Sequence, residues 1–185
     1  MLSISIYAAA VPLSALDFDV MVSDCGSCSG FLKEYETLLP REPKARDLAG
    51  RTRDITELLA DCALPKPANA GTTVTYHDPC HLGRQQEVTV PPRKLLVYAA
   101  GLKLVEMAES NWCCGGAGSY NLSHPEMSRE ILARKMSRID ATKAEIICTA
   151  CPACVIQIAS GSRDSANPRP VRYVVELLAE RCQLG

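Results

Sequence analysis

Short apolar runs alternate with amphipathic stretches along most of the chain. Phe18-Asp19-Val20-Met21-Val22-Ser23 predicts a short buried strand that ends at a polar turn. Gly30 to Leu39 predicts a helix with Phe31, Leu32, Tyr35, Leu38 and Leu39 on one side, stopped by Pro40. Arg41 to Ala49 is charged and reads as a solvated turn and helix. Asp54 with Glu57 three residues later predicts a capping box that opens another helix. Leu64 to Gly71, rich in proline and small residues, is the clearest linker.

The pattern then repeats. Thr72 to Tyr76 predicts a strand, and Pro91-Pro92 opens a helix through Leu95, Leu96 and Tyr98 to a Gly101 stop. Leu102 to Met107 alternates like a strand. Pro125 to Asp140 is the longest predicted helix, with Met127, Ile131, Met136 and Ile139 as its apolar stripe and a basic face opposite. Glu145 to Thr149 predicts a strand that runs into the start of a helix. Arg172 to Cys182 predicts a final helix with Val174, Val175, Leu177 and Leu178 inside. Strands alternating with helices predict an α/β fold with short, largely parallel sheets.

Composition narrows the function classes. The 185 residues are 47% hydrophobic and 22% charged with net charge −1, as in an ordinary soluble domain. No long basic stripe is present, which argues against nucleic acid as a partner. Met1 to Leu16 lacks a basic n-region and predicts a short helix or loop rather than a targeting segment, and no stretch reaches membrane-spanning length. Ten cysteines without an export signal point to a reducing compartment, the cytoplasm, and to thiolates kept for metal.

Five of those cysteines form a frame. Cys113-Cys114 is followed by Gly115 and Gly116; thirty-two residues lie between Cys80 and the pair, and thirty-six between the pair and Cys151-Pro152-Ala153-Cys154. Vicinal cysteines do not easily bridge each other, but both can point at a third body. Soft thiolates select zinc, copper(I) or iron–sulfur clusters, and five exceed the four that tetrahedral zinc takes. A cluster of several irons is therefore the leading expectation, with zinc the alternative. The glycines would let the backbone wrap closely, and the helix predicted to start near Cys151 would aim its positive end at an anionic core. Cys62, Cys148 and Cys182 are expected to be buried inert thiols, Cys148 remaining a minor ligand candidate. His81 reads equally as a turn residue or as a donor to a cluster sulfur; His77 and His124 are expected to be structural, Arg84 to be a surface residue, and Trp112 to shield the site.

A weak internal repeat accompanies the frame. Val20 to Cys28 and Ile146 to Cys154 both read as strand, polar turn, C-x-x-C and helix. Two pseudo-repeated lobes are thus expected, residues 1–66 forming a first that lacks its front and residues 67–185 a complete second. Cys25 and Cys28, the first C-x-x-C, are weaker metal candidates.

These motifs resemble a known family. Tyr76-His77-Asp78-Pro79-Cys80-His81-Leu82, Trp112-Cys113-Cys114-Gly115-Gly116-Ala117-Gly118-Ser119-Tyr120 and Cys151-Pro152-Ala153-Cys154 look like the cysteine-rich "CCG" domain. That domain occurs in heterodisulfide reductase, in lactate-utilisation proteins and, in the most similar phrasing, in the glycolate oxidase iron–sulfur subunit. The resemblance implies a non-catalytic electron-transfer subunit of a flavin-linked oxidoreductase acting on a glycolate- or lactate-type 2-hydroxy acid. It implies a [4Fe–4S] cluster, non-cubane in the heterodisulfide reductase branch, on Cys80, Cys113, Cys114, Cys151 and Cys154. Implied partners are an FAD-dependent oxidase subunit and a chain carrying the ferredoxin-like and first-copy parts, any membrane contact being peripheral through them. A thiol/disulfide redox subunit and a zinc-binding structural fragment are the competing readings.

Overall fold

The computed structural model describes residues 12–13, 15–65, 67 and 71–182. The expectation for Met1 to Leu16 therefore falls largely outside the described residues, as does part of the Leu64 to Gly71 linker. In chain order the elements begin with β1 (Met21–Ser23), α1 (Gly26–Lys33), α2 (Tyr35–Leu38), α3 (Pro43–Arg51), β2 (Thr52–Asp54) and α4 (Ile55–Ala60). There follow β3 (Thr73–His77), α5 (Cys80–Gly83), α6 (Val90–Lys94) with a π-helical turn at Leu95–Ala99, and β4 (Lys103–Leu104). The last are α7 (Tyr120–Ser123), α8 (Pro125–Thr142), β5 (Ile146–Thr149), α9 (Pro152–Arg163), β6 (Val171–Tyr173) and α10 (Val174–Cys182). Among the described residues no helix is long and apolar enough to cross a membrane.

The fold is α/β, with two short parallel sheets flanked by helices. β1 and β2 form one, and the other runs β4-β3-β5-β6, every neighbouring pair parallel. Side chains alternate across β5 as the two-residue period of a strand requires. Cys148 packs on one face with Val74, Tyr76, Leu96, Val174, Leu177 and Leu178. Ile147 packs on the other with Met136, Ile139, Ile158, Cys114, Cys151 and Cys154. β3 crosses over to β4 on one side and β5 to β6 on the other, so the chain reverses its winding direction between β3 and β5. Open parallel sheets bind their ligands at the carboxyl ends of the two strands at such a switch point.

The internal repeat extends further than the C-x-x-C motifs. Met21 pairs with Thr52 and Ser23 with Asp54; the equivalent residues in the second copy, Ile147 and Thr149, pair with Val171 and Tyr173. From the second residue of β2 the chain reads Arg53-Asp54-Ile55-Thr56-Glu57-Leu58-Leu59-Ala60, and from the second residue of β6 Arg172-Tyr173-Val174-Val175-Glu176-Leu177-Leu178-Ala179. In each copy the glutamate accepts the backbone N–H three residues before it, Asp54 N at 2.9 Å and Tyr173 N at 3.2 Å. The first is the capping box expected at Asp54, complete in both directions.

Some expectations are corrected. The helix expected from Gly30 starts at Gly26, directly after Cys25, so the first C-x-x-C occupies a helix start as the second does. Arg172 to Cys182 is not one helix: Val171–Tyr173 is an edge strand before α10. β2 lay unrecognised in the same way. On α8 the inward stripe is Ser128, Leu132, Lys135, Met136 and Ile139, whereas Met127, expected in the stripe, is half exposed. Cys62 lies exposed just past α4, not buried, because the helix ends before it.

Candidate metal centre

The carboxyl ends of β3 and β5 deliver the first and last parts of the centre. β3 ends at His77, Asp78 and Pro79 turn the chain, and Cys80 opens α5. β5 ends at Thr149, whose Oγ1 donates to His77 O at 3.0 Å, and Cys151 is the residue before the first turn of α9. Pro152 occupies that first turn, where the missing N–H is no loss. α9 is twelve residues long, so the partial positive charge of its N-terminus faces the thiols of its own first turn.

The Cys113-Cys114 loop is clamped between these ends. Gly115 has φ +91°, and a Cβ there would sit 2.5 Å from Ser128 O. Ser128 Oγ donates to Gly115 O at 2.8 Å and accepts from Gln157 Nε2 at 3.1 Å, so α8 and α9 hold the loop jointly. Gly115 N–H donates to Cys113 Sγ at 3.3 Å. Upstream, the buried Lys135 donates to Glu109 O at 2.6 Å and Ser110 O at 3.2 Å, and burial lowers its pKa to about 8. Glu109 is bound by Arg134 and Arg138, which hold its carboxyl down at about 2. Gly115→Ala is expected to cost roughly 1–3 kcal/mol through the left-handed backbone and the clash with Ser128 O. Urea melts would show that loss, and metal uptake would fall with it.

The result is a cavity of about 250 Å³ whose wall carries all five cysteines of the frame: Cys80, Cys113, Cys114, Cys151 and Cys154. Thiol contacts run from Cys80 to Cys113, Cys114, Cys154 and Cys151 in turn. Donation from Cys114 and Cys80 lowers Cys113 to about 2, and donation from Cys154 lowers Cys151 to about 5. Their partners move the other way: Cys80 and Cys154 are pushed up, and Cys114 rises to about 11. Five converging sulfurs form a soft donor set. The volume falls below the roughly 300–1,000 Å³ of sites for organic ligands and suits a compact inorganic core.

Three polar side chains share the wall with the five cysteines. Ser27, between Cys25 and Cys28, reaches it from the first repeat; its Oγ lies 2.9 Å from His81 Nδ1 and bonds Cys151. α1 comes this close because Gly26 has no side chain: a Cβ there would meet Leu82 Cβ at 2.9 Å. Cys25 and Cys28 themselves stand off the wall, Cys25 raised to about 11 by burial and Cys28 exposed. His81 lines the cavity, and so does His77, which was expected to be structural. His77 is fully buried, and no hydrogen bond of full geometry reaches its ring nitrogens, although the Ser110 backbone lies near the ring. Burial lowers its pKa to about 3.

The remaining candidates fall outside. Cys148 and Cys182 are buried, and Cys148 lies on the opposite face of β5 from the cavity. Arg84 donates to Asn111 O, and His124 stacks on Tyr120. Trp112 is 48% exposed, with the Arg134 guanidinium 4.2 Å from its ring centre, so it does not shield the cavity.

The comparisons with known proteins agree with this geometry. Residues 74–159 match the model of the cysteine-rich domain, CCG. Lactate utilization protein A of Oceanobacillus iheyensis is 33% identical over 168 residues, covering 86% of this chain and 68% of that protein. The chain belongs to the cysteine-rich CCG-domain family. The CCG match begins within β3 and ends within α9, so it holds all five cavity cysteines. Other CCG relatives include the probable glycolate oxidase iron-sulfur subunit of Bacillus subtilis, 35% identical over 90% of this chain and 39% of that protein. The glycolate oxidase iron-sulfur subunit of Escherichia coli is 31% identical over 88% of this chain and 40% of that protein. The chain thus spans about two-fifths of the length of these two relatives.

Proposed function

We propose that this chain holds an iron–sulfur cluster of the four-iron type and serves as the electron-carrying part of a flavin-linked oxidoreductase acting on a glycolate- or lactate-type 2-hydroxy acid. The observation that carries the proposal is the convergence of five cysteines on one small cavity at the switch point of the sheet. Cys80, Cys113, Cys114, Cys151 and Cys154 would hold the cluster, and when bound it would supply one-electron transfer. A cube would take four of the thiolates, as zinc would, whereas a non-cubane arrangement could use the fifth. Zinc in the same pocket would leave at least one of the five thiols unused.

The chain's own residues bind, orient and exclude water. Gly115 N–H and the α9 N-terminus offset negative charge at the sulfurs, and the buried Lys135 adds a cation behind the loop. Ser27 and His81 close one side of the opening. Residues 1–66 would form a first copy of the repeat and 67–185 a second, the cluster belonging to the second. Relatives named as subunits support partner subunits for this chain; in this proposal these are a flavoprotein with FAD and a chain carrying ferredoxin-like and first-copy parts, assembled in the cytoplasm.

Anaerobically purified or reconstituted protein is expected to contain about four irons and about four acid-labile sulfides per chain, and to show a cluster EPR signal. Zinc alone, or no metal after supply of iron and sulfide, would sink the proposal. Co-purification with a flavoprotein, and bleaching of the cluster when that partner is given a 2-hydroxy acid, would support the assignment. A new paramagnetic signal arising only with a heterodisulfide would move it to thiol/disulfide chemistry.

A further inference from the structure

The cavity holds one polar side chain that the thiol frame does not explain. His77 closes β3, its carbonyl is fixed by Thr149, and its ring is fully buried against the cavity. A ring nitrogen and the Sγ atoms of Cys114 and Cys154 all lie within 4.8 Å of one another. No hydrogen bond of full geometry reaches either ring nitrogen among the described residues, the Ser110 backbone being the polar group near the ring. A buried imidazole in that state is rare unless something outside the protein completes it.

Resting on the iron–sulfur reading above, we infer that His77 donates a ring N–H to a sulfur of the cluster at the edge between Cys114 and Cys154, making it a positioning and tuning residue of the centre. Either protonation state of the ring carries at least one N–H. Ligation of iron by its nitrogen is disfavoured, because five thiolates already outnumber the four metals of the proposed core. A donor to sulfur stabilises the more negative, reduced state and so raises the potential. His77 sits at strand-end geometry set by the pairing of β3 with β5, so its ring has little freedom to seek another partner.

The test compares loaded wild type with His77→Phe and His77→Gln by redox titration, with pulsed EPR on protein carrying ¹⁵N-labelled histidine. Loss of the donor in His77→Phe is expected to disfavour reduction by about tenfold, a shift of about 59 mV to more negative potential for one electron. His77→Gln keeps an N–H donor and is expected to stay nearer the wild-type potential. Wild type should show a weak nitrogen coupling that both variants lack. An unchanged potential in loaded His77→Phe, or no such coupling in wild type, overturns the inference alone. A strong coupling of the kind made by iron-bound nitrogen also overturns it, in favour of ligation. A wild type that takes up no iron or sulfide overturns it together with the iron–sulfur reading. Should His77→Phe fail to fold, the coupling in wild type and its loss in His77→Gln still decide the matter.

Discussion

Cys114→Ala, purified without oxygen and supplied with iron and sulfide, is expected to lack the visible absorption and EPR signal of the wild type. Cys114 is buried at the middle of the run of thiol contacts, touching Cys113 on one side and Cys154 on the other. Its removal breaks the donor set at the centre and leaves space that no neighbour can fill with another sulfur. Cys182→Ala serves as the control and is expected to stay coloured, since Cys182 lies in the core with its Sγ facing Pro65 O and Ala99 O. Equal loss of iron from both variants would mean that general instability explains the first, and equal retention would remove Cys114 from the centre.

Arg93→Met is expected to lower stability by roughly 3–5 kcal/mol, the cost of leaving a buried charge without its partner. Arg93 makes a two-point contact with Asp78, Nη1 to Oδ1 at 2.7 Å and Nη2 to Oδ2 at 2.8 Å. The same guanidinium binds Glu106 through Nε at 2.6 Å and Thr89 O through Nη1 at 2.9 Å. Those contacts, with Asp78 foremost, raise its pKa, so it stays a cation throughout the working range. Asp78 is almost fully buried and lies two residues before Cys80. The variant would strand that carboxylate and loosen the turn that places the first cysteine. Chemical denaturation measures the stability loss. An Asp78→Asn/Arg93→Met double variant should recover part of it, because the unpaired charge is gone; a double variant as unstable as the sum of the singles would contradict the pairing.

The sequence made the cysteine frame legible because chemistry fixes it: vicinal thiols, a C-x-x-C and a lone upstream cysteine have few shared uses, and the structure brings all five to one cavity. The longer elements were legible too, since Pro125 opens α8, Pro152 opens α9, and Val74-Thr75-Tyr76 and Ile146-Ile147-Cys148 are β-prone apolar runs. The three-residue strands were not. Val171–Tyr173 has a charge at its centre and runs straight into Glu176-Leu177-Leu178-Ala179, so its helical continuation masked it; only pairing with Ile147 to Thr149 makes it a strand. Pro170 was the available signal, as Ile147 N donates to its carbonyl and a proline favours extended backbone before it. His77 was missed for a related reason. Asp78-Pro79 does make a turn, but counting by twos along β3 puts Thr75 and His77 on the face shared with Ile147, which is the face of the thiols. The burial of Lys135 was not legible either, because it follows from two carbonyls that only the folded loop supplies.

The reach of Ser27 from the first repeat to His81 and Cys151 ties the two halves together in an unexpected currency. A chain severed in the linker would keep every thiol of the frame, yet one wall of their chamber would be gone. Dioxygen and small oxidants would then enter from that side. With the proposed ligand set of Cys80, Cys113, Cys114, Cys151 and Cys154, the amino-terminal segment would thus bear on how long the centre survives in air through Ser27 rather than through a bond to the cluster.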